Sequence, residues 1–155
     1  MPRYFSPNES ETIYHYCNAT AFHSICTTRK LWFSDLFSMN DYLELHWGYS
    51  IWEKAASANI DRLGKDFLDE VDGIIHRSGY RGLLLASCFS TEKDILSQWR
   101  AYTNDGKGYV IGFNAKQLLG LPVRALKVLY NETQQISEAI LTIEALNLMK
   151  KEEHP

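Results

Sequence analysis

Few features of this chain call for a covalent or metal staple. Its 155 residues include three cysteines, Cys17, Cys26 and Cys88. They are odd in number, scattered and without a C-x-x-C, which argues for reduced thiols over a disulfide framework. His, Cys, Asp and Glu do not recur at ligand spacing. His46 is the one histidine near Glu44 and projects away from it on a helix, so no metal is expected. No stretch approaches the roughly 20 apolar residues of a membrane span. The opening MPRYFSPNES lacks the charged-then-apolar pattern of a secretory leader, so the expectation is a cytoplasmic protein with no membrane partner. A formal charge of -3 provides no basic footprint, and nucleic acid is not indicated as a partner. The phosphate-loop pattern GxxxxGK[ST] is missing, and Gly106-Lys107-Gly108 precedes a strand rather than a helix. Neither Ser87 nor Ser90 sits in a G-x-S-x-G frame, and Cys88 lies within an apolar run, so a triad nucleophile is unsupported.

Apolar residues are present in quantity. A 45% apolar share with 13% aromatics excludes a disordered chain and leaves enough material for a packed core. Residues 1–10 read as an irregular lead and 11–155 as a single domain. The stretch from Leu83 to Asn114 organises the rest, as an apolar strand, a short helix, a glycine turn and a strand. Ahead of it, Thr12–Tyr16 reads as a strand and Asn18 as the cap of a helix to about Arg29. Leu31–Ser34 reads as a second strand. Leu45, Tyr49, Trp52 and Ala56 stripe a helix over about 42–57, and Leu63 to Ile75 stripe another within Ile60–Gly79. Beyond the central unit come a helical turn at Ala115–Leu119, a strand over Val123–Tyr130 and a long helix over 131–153. The order β-α-β-α-α-β-α-β-α-β-α predicts an α+β (mixed α/β) fold with a single sheet of about five strands covered by helices.

The polar residues gather at the joints. His15 points to the strand face opposite Tyr14 and Tyr16, either as a ligand-orienting group or as a half-buried histidine with a satisfied hydrogen bond. Asn40, Asp41 and Glu44 open a helix. Capping accounts for Asp41, whereas Asn40 and Glu44 share a face suited to a substrate hydroxyl. Ser90 opens the central joint. On the central helix Trp99, Arg100 and Tyr102 offer a ring, a cation for a phosphate or carboxylate, and a second ring.

These pieces, in this order, resemble the bacterial family of unknown function DUF2971. The residues that carry the resemblance are Tyr14-His15-Tyr16, Leu31-Trp32-Phe33-Ser34, Met39-Asn40-Asp41-x-x-Glu44, Cys88-Phe89-Ser90 and Ser97-x-Trp99-x-x-Tyr102-x(5)-Gly108-x-x-Ile111-Gly112-Phe113. It spans residues 13–130. Tyr42 stands where the family usually has proline. Members tend to continue with a further strand bearing acidic and arginine residues, so the chain is expected to correspond to the family's N-terminal part, as a short or truncated member. The opening Tyr-His strand and aromatic second strand are also similar to the start of ADP-ribosyltransferase-like folds. That similarity implies NAD as cofactor, His15 as ribose ligand, Tyr14 or Tyr102 as a stacking wall, and His15, Glu44 or Glu132 as catalytic candidates. The expectation is a nucleotide- or NAD-handling domain of a bacterial stress or phage-defence system, with ligand contacts from Tyr14, His15, Asn40, Asp41, Ser90, Trp99, Arg100 and Tyr102. The competing reading is a non-catalytic interaction or ligand-binding module, with self-association through the apolar stripe of the last helix.

Overall fold

The strand Thr12–Cys17 (β1) has a β-branched and aromatic sequence and alternates its side chains between two faces, each covered by a different helix. In the computed structural model, which describes residues 4–36, 42–81 and 85–153, with side chains at 4–36, 47–77 and 85–152, the chain continues as follows. α1 is Ala19–Thr28, β2 Ser34–Asp35, α2 Tyr42–Ser57, α3 Ile60–Leu63, α4 Lys65–Arg81, β3 Leu85–Ala86, α5 Leu96–Tyr102, β4 Tyr109–Asn114, α6 Ala115–Leu118 and α7 Glu132–Glu153. These elements fall into two compact units: residues 4–34 with 85–125, and the described residues of 35–81 with 126–153.

In the first unit β1 pairs antiparallel with β4, in register from Thr12↔Asn114 to Cys17↔Tyr109. On its other edge Tyr14 exchanges two 2.8 Å backbone hydrogen bonds with Ser90. Ile13, His15 and Cys17 share a face with their partners Phe113, Ile111 and Tyr109, and Phe22 of α1 stacks on Tyr109 at 4.1 Å. Tyr16 projects to the opposite face and meets Trp99 of α5 edge-on at 5.4 Å. The Tyr16 hydroxyl accepts from Ile95 N–H (3.0 Å) and donates to Glu92 C=O (3.1 Å), which fixes the entry to α5. Asn18 caps α1 by accepting from Ala21 N–H at 2.8 Å.

The second unit is helical. Trp52 and Ala55 of α2, Leu68 and Val71 of α4, and Ile143 of α7 form its buried core, with Tyr49, Phe67, Ile136 and Ile140 packed against it. Asp72 draws α4 to α2, its Oδ1 accepting from Tyr49 Oη (2.9 Å) and Trp52 Nε1 (2.8 Å). Ion pairs join Lys54 to Glu132, Arg62 to Glu144 and Lys150 to Glu70.

The α+β content agrees with the sequence, but the single sheet of about five strands does not. Two two-stranded sheets stand in its place, β1 with β4 and β2 with β3. The expected strand Leu31–Ser34 is reduced to Ser34–Asp35, and of the described part of Leu83–Cys88, residues 85–88, Leu85–Ala86 forms the strand. Val123–Tyr130 forms no strand, and Leu126, Val128 and Tyr130 stand exposed. The expected helix Ile60–Gly79 is split at Gly64, whose φ of 81° lies outside the helical region. The apolar stripe of α7 is covered at Ile136, Ile140 and Ile143, while Leu146 and Met149 are exposed.

Candidate functional site

Of the candidate residues, His15 has the most fully defined surroundings. Its Nδ1 lies 3.1 Å from the Cys88 carbonyl oxygen, and its ring tilts against Phe89 at 5.5 Å. A carbonyl can only accept, so Nδ1 carries the proton, and in neutral imidazole Nε2 is then an acceptor. Nε2 makes no hydrogen bond among the described residues. Ser90 contributes at one remove, because its backbone pairing with Tyr14 holds the Cys88–Ser90 segment beside β1.

His15 lines a cavity of about 330 Å³ with Asn18, Thr20, Ala21, Ser24, Ile25 and Trp32. Its walls come from β1, from the face of α1 above it and from the segment after α1. Trp32 stands at one wall with 77% of its surface exposed. A second cavity, of about 470 Å³, shares Asn18 and Thr20 with the first and adds Ala19, Ala101, Tyr102, Asn104 and Lys107.

The loop behind the second cavity is tightly specified. Asn104, Asp105 and Gly106 all adopt positive φ (53°, 56° and 81°). Thr103, fully buried, donates its hydroxyl to the Trp99 carbonyl, and Gly106 N–H donates to the Trp99 carbonyl at 3.1 Å and to Thr103 Oγ1 at 3.2 Å. Gly108 then passes so close to β1 that a Cβ there would overlap the Cys17 carbonyl oxygen and lie 2.8 Å from Thr103 Cβ. Asn104 and Lys107 are thus held on a rigid turn.

The expected site residues divide. His15 and Tyr102 line the two adjoining cavities. Tyr14, Trp99, Ser90 and Arg100 line neither. Tyr14 lies along Gly112, Trp99 packs on Tyr16 with Nε1 donating to Asp94 (2.9 Å), and Ser90 Oγ accepts from Glu92 N–H (3.0 Å). Arg100 is exposed and forms no ion pair among the described residues. Glu132 opens α7 and pairs with Lys54 in the helical unit. Asn40 and Asp41, and the side chain of Glu44, lie outside the described residues. Sequence reasoning missed Trp32, Asn104 and Lys107 as site residues. An Asn-Asp-Gly run beside a lysine was the available sign of a special turn.

Among the described residues no group of three or more His, Cys, Asp and Glu is placed to hold a metal ion, and no helix is long and apolar enough to cross a membrane. Burial first, and the Cys26 thiol second, push the Cys17 thiol above its ordinary 9.0.

Residues 98–154 match the family model described as protein of unknown function, DUF2971. This supports the family resemblance over the stretch that holds Trp99, Tyr102, Gly108 and Ile111-Gly112-Phe113. The earlier pieces, from Tyr14-His15-Tyr16 to Cys88-Phe89-Ser90, precede the matched stretch. No curated protein and no solved structure matches the chain.

Proposed function

We propose that the unit built on β1 and β4 is a small-ligand binding module whose ligand presents a flat ring and a hydrogen-bond donor, with nucleotides, NAD included, as the ligand class. The observation that carries this reading is Trp32, 77% exposed on the wall of the cavity that also holds His15. An indole left in water forgoes most of the roughly 2 to 3 kcal/mol its burial would contribute. A ring stacked on it recovers part of that, about 1 to 3 kcal/mol per base. The acceptor Nε2 of His15 suits a sugar hydroxyl or a ring N–H.

Binding rather than turnover is the function this arrangement supports, since neither cavity is lined by a carboxylate among the described residues. Titration with adenosine, adenosine 5′-monophosphate, ADP-ribose and NAD, read by calorimetry and tryptophan emission, tests it. The expected result is saturable binding that Trp32→Ala weakens about ten- to a hundredfold. Absence of binding by every one of these ligands at millimolar concentration would overturn the reading. Cytoplasmic placement, which rests on the scattered Cys17, Cys26 and Cys88, and a stress or phage-defence role, which rests on the family resemblance, form part of the same proposal.

A second reading, an interaction module, is favoured by Leu126, Val128 and Tyr130, exposed at 56%, 69% and 90% and spaced two apart in a non-helical segment. Light scattering that shows a concentration-dependent mass would support self-association through such surfaces. A constant monomer mass would count against it.

A further inference from the structure

We infer that the second cavity takes an anionic group of the same ligand and that Lys107, not Arg100, receives it. The inference rests on the ring-binding reading above and adds the chemistry of the ligand's other end. Asn18 and Thr20 line both cavities, so the two adjoin, and the proposal seats one ligand across them. The two differ in character. The first is walled mainly by Ala21, Ile25 and Trp32, the second by Asn104, Tyr102 and Lys107. Lys107 is the one cation lining either cavity among the described residues, and it forms no ion pair there.

Its position is built by the chain around it. The three residues at positive φ, the buried Thr103 hydroxyl and the close passage of Gly108 to β1 fix the backbone on both sides of Lys107. The side chain therefore starts from a defined point and needs to order only its own stem. A lysine is a compact charge that meets phosphate or carboxylate without the bidentate geometry an arginine imposes. Asn104 on the same wall supplies an amide donor, and Tyr102 a hydroxyl. Arg100 lines neither cavity, although its charge made it the obvious anion contact on the central helix.

The test compares adenosine, adenosine 5′-monophosphate and adenosine 5′-carboxylate on the wild-type chain, Lys107→Met, Arg100→Ala and Trp32→Ala. The expected result is that the monophosphate binds the wild type about two- to fivefold more tightly than adenosine at low salt, as an ion contact at an exposed lysine allows. Lys107→Met should abolish that preference and leave adenosine binding unchanged, whereas Arg100→Ala should leave both unchanged. A carboxylate that matches the monophosphate assigns the site to anions generally, and one no better than adenosine assigns it to phosphate. Either outcome supports an anion at Lys107. If adenosine binds through Trp32 but neither anion adds affinity, or if Arg100→Ala alone removes the preference, the anion assignment fails while the ring site stands. If none of the three binds, the ring-binding reading fails, and this assignment with it.

Discussion

Replacing Gly108 by alanine should damage the β1–β4 unit far more than the same change two residues earlier at Gly106. At Gly108 the added methyl would overlap the Cys17 carbonyl oxygen and sit 2.8 Å from Thr103 Cβ and 3.0 Å from Thr103 Cα. None of these atoms is the end of a flexible side chain. Cys17 is held in the β1–β4 ladder, and Thr103 is fully buried with its hydroxyl engaged. Relief requires a backbone shift of the ladder or the turn, and overpacking of that kind costs about 1 to 3 kcal/mol or more. About 3 kcal/mol is the reasonable figure here, a large share of the roughly 5 to 15 kcal/mol that holds a domain together. Gly106 differs, because its Cβ would meet nothing within 4 Å and only its φ of 81° opposes alanine. That costs about 1 to 2 kcal/mol. Amide hydrogen exchange across Thr12–Cys17 and Tyr109–Asn114 is the suitable assay, because it reads this unit independently of the helical one. Gly108→Ala should lower protection along both strands, and Gly106→Ala should lower it less. Equal effects, or a Gly108→Ala variant with native protection, would refute the close-packing argument and with it the rigid placement of Lys107.

Three further outcomes follow from groups already placed. Asp72→Ala removes the acceptor shared by Tyr49 and Trp52 and leaves a nearly buried indole N–H unpaired; the expected loss in urea unfolding is about 2 kcal/mol, with Asp72→Asn milder because an oxygen remains. The hydrogen bond to Asp72, then burial, hold the Tyr49 phenol above its ordinary 10.0. The folded chain therefore keeps a proton that the unfolded chain releases, and this contribution is complete below about pH 9 and lost as pH rises through the folded value; Tyr49→Phe should flatten that part of the profile of urea midpoint against pH. With Cys17 buried and its thiol pushed up from 9.0, and with Cys26 and Cys88 exposed, a colorimetric thiol titration of native protein should show two fast reactions and one slow, merging into three fast ones in denaturant.

The elements legible in the sequence are those with a strong period and a marked end. Helix α2 at Tyr42–Ser57 and helix α7 at Glu132–Glu153 fall where their apolar spacing put them, and Asn18 caps α1 as its position implied. The strands Thr12–Cys17 and Tyr109–Asn114 were equally plain, since each is rich in β-branched and aromatic residues and each has the other to pair with. Leu31–Ser34 and Val123–Tyr130 have similar composition but lack a ladder along their length, and strand propensity without a neighbour forms nothing. Gly64 escaped notice because Leu63 and Phe67 keep helical spacing across it, so the period continued where the backbone did not. The site shows the same division. The orientation of His15 follows from alternation along one strand. That Lys107 rather than Arg100 lines the cavity beside it depends on how α5 and its following turn pack on β1, which no local pattern encodes.

The composition of β1 bears on why a histidine stands at position 15. Ile13, Tyr16 and Cys17 are buried, and His15 on the same strand is half-buried. An apolar residue there would pack against Phe89 with no polar atom to satisfy, whereas a half-buried imidazole requires partners for two nitrogens. The fold supplies one, the Cys88 carbonyl at 3.1 Å, and leaves Nε2 without a bond among the described residues. Tyr16, its neighbour on the opposite face, shows the contrasting case. Its hydroxyl both donates and accepts within the fold, so that polar atom is explained by structure alone. The second nitrogen of His15, on a half-exposed ring that lines a cavity, is open to water, and under the proposed function a ligand donor would replace that water beside the exposed Trp32 on the same wall.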